Sequence, residues 1–268
     1  MMPDPERKIQ IMAILNLNQD SYFAPSRFNM SVLESGADIV DIGAVSARPG
    51  AQDVPEDEEW SRLVPLLREL DPSLPLSIDT TRSGIVKRAA DVLGRRFIVN
   101  DISAGEDDPA MLGTVASLGL GYVAMHKRGT PSTMQGLCDY DDVVSEVRDY
   151  FSRFAAIAKE AGVRDWILDP GFGFAKTVEQ NYELLASLGT LRLPDHPLLV
   201  GISRKSFIYK PLGIGPEEAL TATQALHLAA LERGADILRV HDVEAARQTV
   251  RLYRKLSGLD APDVEVNL

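Results

Sequence analysis

The sequence has little cysteine, a shortage of positive charge and no long apolar run, and each shortage excludes something. Cys138 is the one cysteine in 268 residues, so no internal disulfide is possible and a reducing compartment fits. Lysine and arginine total 28 against 39 acidic residues, a net charge of −11. That balance argues against nucleic acid or an anionic membrane surface as the main partner. Nowhere do the ~18 consecutive apolar residues of a membrane span occur. The N-terminus, MMPDPERKIQ, is polar and carries no signal-peptide apolar region. A soluble, cytoplasmic protein is expected. With 45% hydrophobic residues and no low-complexity tract, one domain over residues 1–268, with its core at about 9–257, is expected.

What the chain does have is alternation. Strand-like runs rich in Ile, Val and Leu occur at Ile9–Leu15, Asp38–Ile42, Leu74–Ile78, Arg96–Val99, Tyr122–Met125, Trp166–Leu168, Pro197–Ile202 and Asp236–Val240. They lack polar alternation, as strands buried on both faces do. Helical patterns lie between them, at Asp57–Leu70, Ser83–Leu93, Asp141–Ala161, Thr177–Leu188, Pro216–Arg233 and Glu244–Leu256, with another opened by Asp108-Pro109. Gly36, Gly119, Gly162 and Gly234 each close a helical stretch before a strand. Eight such alternations predict an α/β fold, a (β/α)8 TIM barrel, with a doubly wound open sheet as the alternative topology. The first βα unit is shortened: between its strand and the next, only about Ser31 to Ser35 reads as helical.

The stretch WILDPGFGFAK, Trp166 to Lys176, shows how such a unit ends. An apolar run delivers Asp169 onto a Pro-Gly-Phe-Gly-Phe turn, and a helix opens after Lys176. In parallel α/β proteins ligands meet the carboxyl ends of strands. Collecting those ends gives Asn16; Asp41, Ser46 and Arg48; Asp79; Asn100 and Asp101; His126, Lys127 and Arg128; Asp169; Ser203 to Ser206; and Arg239, His241 and Asp242. Asp79, Asn100 and Asp169 are acceptor-rich and suit an N–H-bearing heterocycle, because a carboxylate accepts from two adjacent donors. Arg48, Lys205, Arg239 and His241 concentrate positive charge in an acidic protein, which marks a phosphate or diphosphate. Asn16 suits a Mg2+ that bridges phosphate oxygens. Taken singly, each has an ordinary explanation. An Asp after a strand caps a helix, Lys127 and Arg128 solvate a loop, and His196, His227 and Cys138 read as structural. Convergence on one mouth outweighs the singles.

In order, MAILN, DIGAVSARPGA, SIDT, NDIS, MHKRGTPSTMQ, ILDPGFGFAKT, GISRKS and RVHDV resemble the dihydropteroate synthase family, from about Ile11 to Val243. The resemblance implies a (β/α)8 barrel that joins a dihydropterin methyl diphosphate to 4-aminobenzoate with release of diphosphate. It implies a pterin set of Asp79, Asn100, Ile102, Met125, Asp169, Lys205 and Arg239, with Asp79, Asp169, Lys205 and Arg239 closest to the chemistry. It places diphosphate at Asn16, Ser46, Arg48, Arg239 and His241, with Mg2+ on Asn16. Tyr22, Pro49, Phe174, Lys205 and Ser206 would take 4-aminobenzoate, where sulfonamides compete, and a homodimer is implied. Two departures stand out: Asn18-Gln19-Asp20-Ser21-Tyr22 replaces the family's Thr-Pro-Asp-Ser-Phe, and Ala47 replaces a threonine. A corrinoid-dependent methyl-transferring pterin barrel would share the three acceptors but would have no use for SRKS with RVHD. A catalytically silent pterin binder would keep the pocket alone.

Overall fold

A computed structural model describes residues 7–17, 29–46 and 54–259. Eight parallel strands lie among them: β1 (Gln10–Asn16), β2 (Ile39–Gly43), β3 (Leu76–Asp79), β4 (Ile98–Asp101), β5 (Gly121–Met125), β6 (Trp166–Asp169), β7 (Leu199–Val200) and β8 (Ile237–Val240). They follow the order β6-β5-β4-β3-β2-β1-β8-β7. A parallel bridge between Leu168 and Leu198 joins β6 to β7, where the Leu168 N–H donates to the Pro197 carbonyl at 2.9 Å. The order is therefore cyclic, a barrel and not an open sheet. The helices are α1 (Glu56–Glu69), α2 (Ser83–Leu93), α3 (Met111–Leu118), α4 (Val143–Ala161), α5 (Val178–Ala186), α6 (Ser206–Leu212), α7 (Leu220–Glu232) and α8 (Val243–Leu256). None of the described helices is long and apolar enough to cross a membrane.

Strand pleating explains where the polar ends lie. In β2, Val40 and Ile42 belong to the large core between sheet and helices, while Ile39 joins a separate cluster with Met12, Val123, Leu199 and Ile237, packed by Ile98 and Ile167. That second cluster fills the barrel interior, because side chains alternate faces along a strand. The residue two positions after each interior apolar one faces the same way. Asp41 follows Ile39, Asn100 follows Ile98, Met125 follows Val123, Asp169 follows Ile167 and Arg239 follows Ile237. An apolar floor thus carries a polar layer toward the carboxyl ends.

Three features differ from the sequence reading. The run Pro197–Ile202 has regular pairing only at Leu199–Val200. Pro197 has no N–H to offer a ladder, and the Ile202 carbonyl is taken by the Lys205 N–H at 3.1 Å in a turn. Helix α6 was not expected; it is short, and Pro211 sits near its end. The pattern from Thr177 to Leu188 breaks after Ala186 into a 3-10 turn, Leu188–Leu191. The shortened first unit holds a 3-10 turn, Met30–Glu34, where a barrel helix would sit.

At the amino end, Asp236 ties the seam. Its carboxylate takes Arg7 at 3.0 Å, Arg192 at 2.8 Å and the Leu198 N–H at 2.9 Å. Asp236→Ala leaves the buried Leu198 N–H without its acceptor and strips Arg7 and Arg192 of their carboxylate, and is expected to cost about 2–4 kcal/mol in urea unfolding. Asp165→Ala breaks an ion pair to Arg96 in which both side chains are about two-thirds exposed. It should cost less than about 1 kcal/mol. Equal losses would contradict this account of the seam.

Candidate active site

The site is built around Arg239. Its Nε donates to Asp41 Oδ2 at 2.7 Å and its Nη2 to Asp79 Oδ2 at 2.8 Å. Asn100 Nδ2 donates to the same Asp41 oxygen at 2.9 Å. Strands β8, β2, β3 and β4 are thereby joined at one level of the barrel interior. Gly43 pairs in register with Asp79, and a Cβ at Gly43 would come within 3.3 Å of the Asp79 Cβ. A side chain there would crowd the carboxylate. Asp41 is fully buried, and its Oδ1 has no partner among the described residues. An acceptor of this kind suits a donor on a bound molecule or a water.

Burial pushes the Asp79 carboxyl up to about 7, although Arg239 opposes the rise; neighbouring Asp41 adds to it. Burial likewise raises Asp169 against the pull of Lys205 and of the Gly171 N–H, which donates to Asp169 Oδ1 at 2.8 Å. The Lys205 ammonium is pulled down to about 8 by burial. It donates to the Phe172 carbonyl and lies 4.8 Å from the centre of the Phe174 ring. Asp169, Phe172, Phe174 and Lys205 are therefore one assembly around the Pro170–Phe174 turn.

Several polar and charged side chains past the strand ends are already paired within the fold. Burial is the main cause that lowers His241 to about 3, with Arg239 adding to it. The ring is neutral near pH 7 and meets Ser203 Oγ at 3.0 Å through Nδ1. The Ser203 contact holds the His241 ring just past the end of β8. Arg204 is spent on Asp242 through two contacts of 2.8 and 2.9 Å. Lys127 is buried on Asp107 at 2.8 Å and does not solvate a loop; Arg128 stacks 3.6 Å from the Tyr140 ring centre and pairs with Glu146. His227, read as structural, is buried and meets Gln224 at 3.3 Å.

Asn16 ends β1, half-buried beside Gly43 of β2, and Ser46 follows β2. Met125 is buried and pairs in register with Asp169, while Ile102 is half-buried just past β4. Ser206 opens α6 next to Lys205. Tyr22, Arg48 and Pro49 lie outside the described residues.

Two residues of this network carry no role in the sequence reading. Asp41 is the one acid inside the apolar strand IVDIG, a signal that was available. Lys176 looked like a helix-front base, yet it is buried under the 170–174 turn.

The family model for pterin binding enzymes matches residues 12–241, which spans the strand-end residues from Asn16 to His241. The chain belongs to the dihydropteroate synthase family. It is 42% identical over 260 residues to a dihydropteroate synthase of Synechocystis, covering 92% of this chain and 89% of the relative. The fold matches a Yersinia pestis dihydropteroate synthase in a sulfonamide drug complex, with TM-score 0.87, 33% identity and 96% of each chain covered. It also matches a Burkholderia cenocepacia dihydropteroate synthase complexed with 7,8-dihydropteroate, with TM-score 0.82, 40% identity and 94% and 92% covered.

Asp79 supplies a pH test of this geometry. Its folded value of about 7 exceeds the ordinary carboxyl value of about 4, so between these limits the folded state holds the extra proton. Stability from this group is full below about 4 and is lost as pH rises through 7. Relative to Asp79→Asn, the wild type should lose up to about 1.4 kcal/mol per unit on the way to pH 7 and level off above it. Urea unfolding of both proteins at pH 5, 6, 7 and 8 measures this. A difference that stays flat would show Asp79 ionised throughout.

Proposed function

We propose that this protein condenses (7,8-dihydropterin-6-yl)methyl diphosphate with 4-aminobenzoate, forming 7,8-dihydropteroate and diphosphate in folate biosynthesis. The observation that carries the reading is the single layer of buried Asp41, Asn100 and Asp169 with half-buried Asp79 and Arg239 above an apolar floor. Its carboxylate and amide oxygens complement a flat ring rich in N–H groups, such as an amino-pyrimidinone edge. Membership of the dihydropteroate synthase family points the same way, as does the product bound by the Burkholderia relative.

On this reading Asp79, Asn100 and Asp169 hold the pterin edge, Ile102 and Met125 line its face, and Lys205 and Arg239 sit against the ring. Asn16, Ser46, Arg48, Arg239 and His241 take the diphosphate. Tyr22, Pro49, Phe174, Lys205 and Ser206 form the 4-aminobenzoate side, which would also admit a sulfonamide.

The bond from the pterin methylene carbon to the diphosphate oxygen breaks with both electrons leaving on oxygen. The arylamine nitrogen then attacks the cation-like carbon and releases one proton. Buried carboxylates beside the ring stabilise the electron-deficient pterin, and donors at the rim stabilise charge on the departing oxygen. No covalent nucleophile is needed.

Among the described residues no group of three His, Cys, Asp or Glu could hold a metal. Asn16 offers one amide oxygen, which fits a Mg2+ that takes its other ligands from water and diphosphate. Such an ion would supply charge neutralisation of the leaving group. A homodimer fits the exposed Leu252 and Leu256 on α8, 64% and 74% accessible. A cytoplasmic setting fits the lone cysteine.

Diphosphate release, followed with a coupled assay, should require both the pterin diphosphate and 4-aminobenzoate and should fall when Mg2+ is chelated. Release that ignores 4-aminobenzoate would reject the reading, and a silent pterin binder would release none. Asp169→Asn should weaken pterin binding by about 2–4 kcal/mol, because an amide presents a donor where the ring also presents one. Calorimetric affinity within threefold of wild type would remove Asp169 from the pterin set.

A further inference from the structure

The mechanism above makes no use of a buried lysine, Lys176, or of a buried histidine, His126, each only 4% exposed. The Lys176 Nζ meets three acceptors, each at 3.0 Å: His126 Nδ1, the Gly171 carbonyl and the Phe174 carbonyl. An ammonium has three protons, so all of them are matched, with His126 neutral and its own proton on Nε2. A neutral amine keeps the same contacts. It donates to the two carbonyls and accepts from a His126 Nδ1–H. The clamp therefore holds in either protonation state of the pair.

The clamped segment is the turn that joins the two halves of the site. Lys176 grips the carbonyls of Gly171 and Phe174, while Lys205 takes the carbonyl of Phe172 between them. The Gly171 N–H donates to Asp169 Oδ1 at 2.8 Å, and the Phe174 ring lies against the Lys205 ammonium. Asn181 fixes the remaining link, accepting from the Gly173 N–H at 2.7 Å. Gly171 has φ +69°, and a Cβ there would run into the His126 carbonyl. The turn and the strand end beside it thus pack with no room for adjustment. His126 is held in turn, its ring 4.9 Å from that of Tyr150 in an edge-on contact.

We infer that Lys176, with His126 as its third acceptor, is a positioning residue that sets Asp169 on the pterin side and Phe174 with Lys205 on the arylamine side through one turn. The inference rests on the proposed reaction for the identity of those two sides. Losing the clamp takes the Lys176 donor from the Phe174 carbonyl, leaves the Gly171 carbonyl with the Phe174 N–H alone at 3.1 Å, and frees the turn that both sides share.

The test is one variant at Lys176 and a pair at His126, read by diphosphate release and by separate calorimetric titrations of pterin and 4-aminobenzoate. Lys176→Met keeps the stem and deletes the donor. It should raise the KM for 4-aminobenzoate and the pterin Kd by at least tenfold each. His126→Asn can supply an acceptor in place of Nδ1 and should stay within about threefold of wild type, whereas His126→Leu should follow Lys176→Met. Thermal unfolding identifies any variant that has lost its fold. In that event His126→Asn against His126→Leu carries the decision.

Wild-type turnover together with unchanged affinities in Lys176→Met would overturn the positioning role and leave the reaction standing. A loss confined to one substrate would overturn the coupling of the two sides. Absence of turnover in the wild type would instead defeat the reaction, while a tenfold loss of pterin affinity alongside it would keep the clamp.

Discussion

One guanidinium between two carboxylates organises the mouth of this barrel. Arg239 reaches from β8 to Asp41 on β2 and Asp79 on β3, and Asn100 on β4 ties into the same oxygen of Asp41. Burying two acids side by side is costly, and removing one partner from such a set leaves an uncompensated charge. One arginine cannot neutralise both, so a residual demand for donors persists, visible in Asp41 Oδ1, unpartnered among the described residues, and in the raised Asp79. A planar ring with several N–H groups meets that demand. The arrangement is better understood as preorganisation for a ligand than as a source of stability. Its planar fork is what arginine provides and lysine cannot.

The opposite side of the mouth solves a different problem. Asp169 comes from a strand, but the groups around it come from a turn with no regular pairing, and such turns move unless they are tied. Here two lysines, one asparagine and a close glycine contact tie it at successive residues. The cost is a pair of buried cations close together, and burial accordingly brings Lys176 to about 7 and Lys205 to about 8. A rigid scaffold beneath and a clamped turn above hold the reacting partners in one geometry, which is the main contribution open to an enzyme without a covalent nucleophile.

Much of this was legible in the chain itself. Apolar runs that end abruptly in Asp, Asn, Lys or Arg mark strand ends, and the pleat carries Asn100, Asp169 and Arg239 inward above Ile98, Ile167 and Ile237. What failed depended on contacts far apart in sequence. Asp41 lies inside a strand and gains its meaning from a residue 198 positions away. Burial and the nearby Arg239 lower the pKa of the His241 ring, which its residue type does not reveal. Lys176 resembles any base at the front of a helix, and only the fold brings His126 to it from 50 positions earlier. Strand β7 is short because proline begins its run and a turn consumes its end, a local effect that the apolar composition masked.

If the network binds the ring, Asp41 and Arg239 act on it as one unit. A double-mutant cycle with Asp41→Asn and Arg239→Met, read by calorimetric pterin affinity, measures this coupling directly. Each single change should weaken binding at least tenfold, and the double variant should be no weaker than the worse single, because either change dismantles the same arrangement. If the two losses multiply in the double variant, the residues contact the ligand independently and the central network is not what holds it.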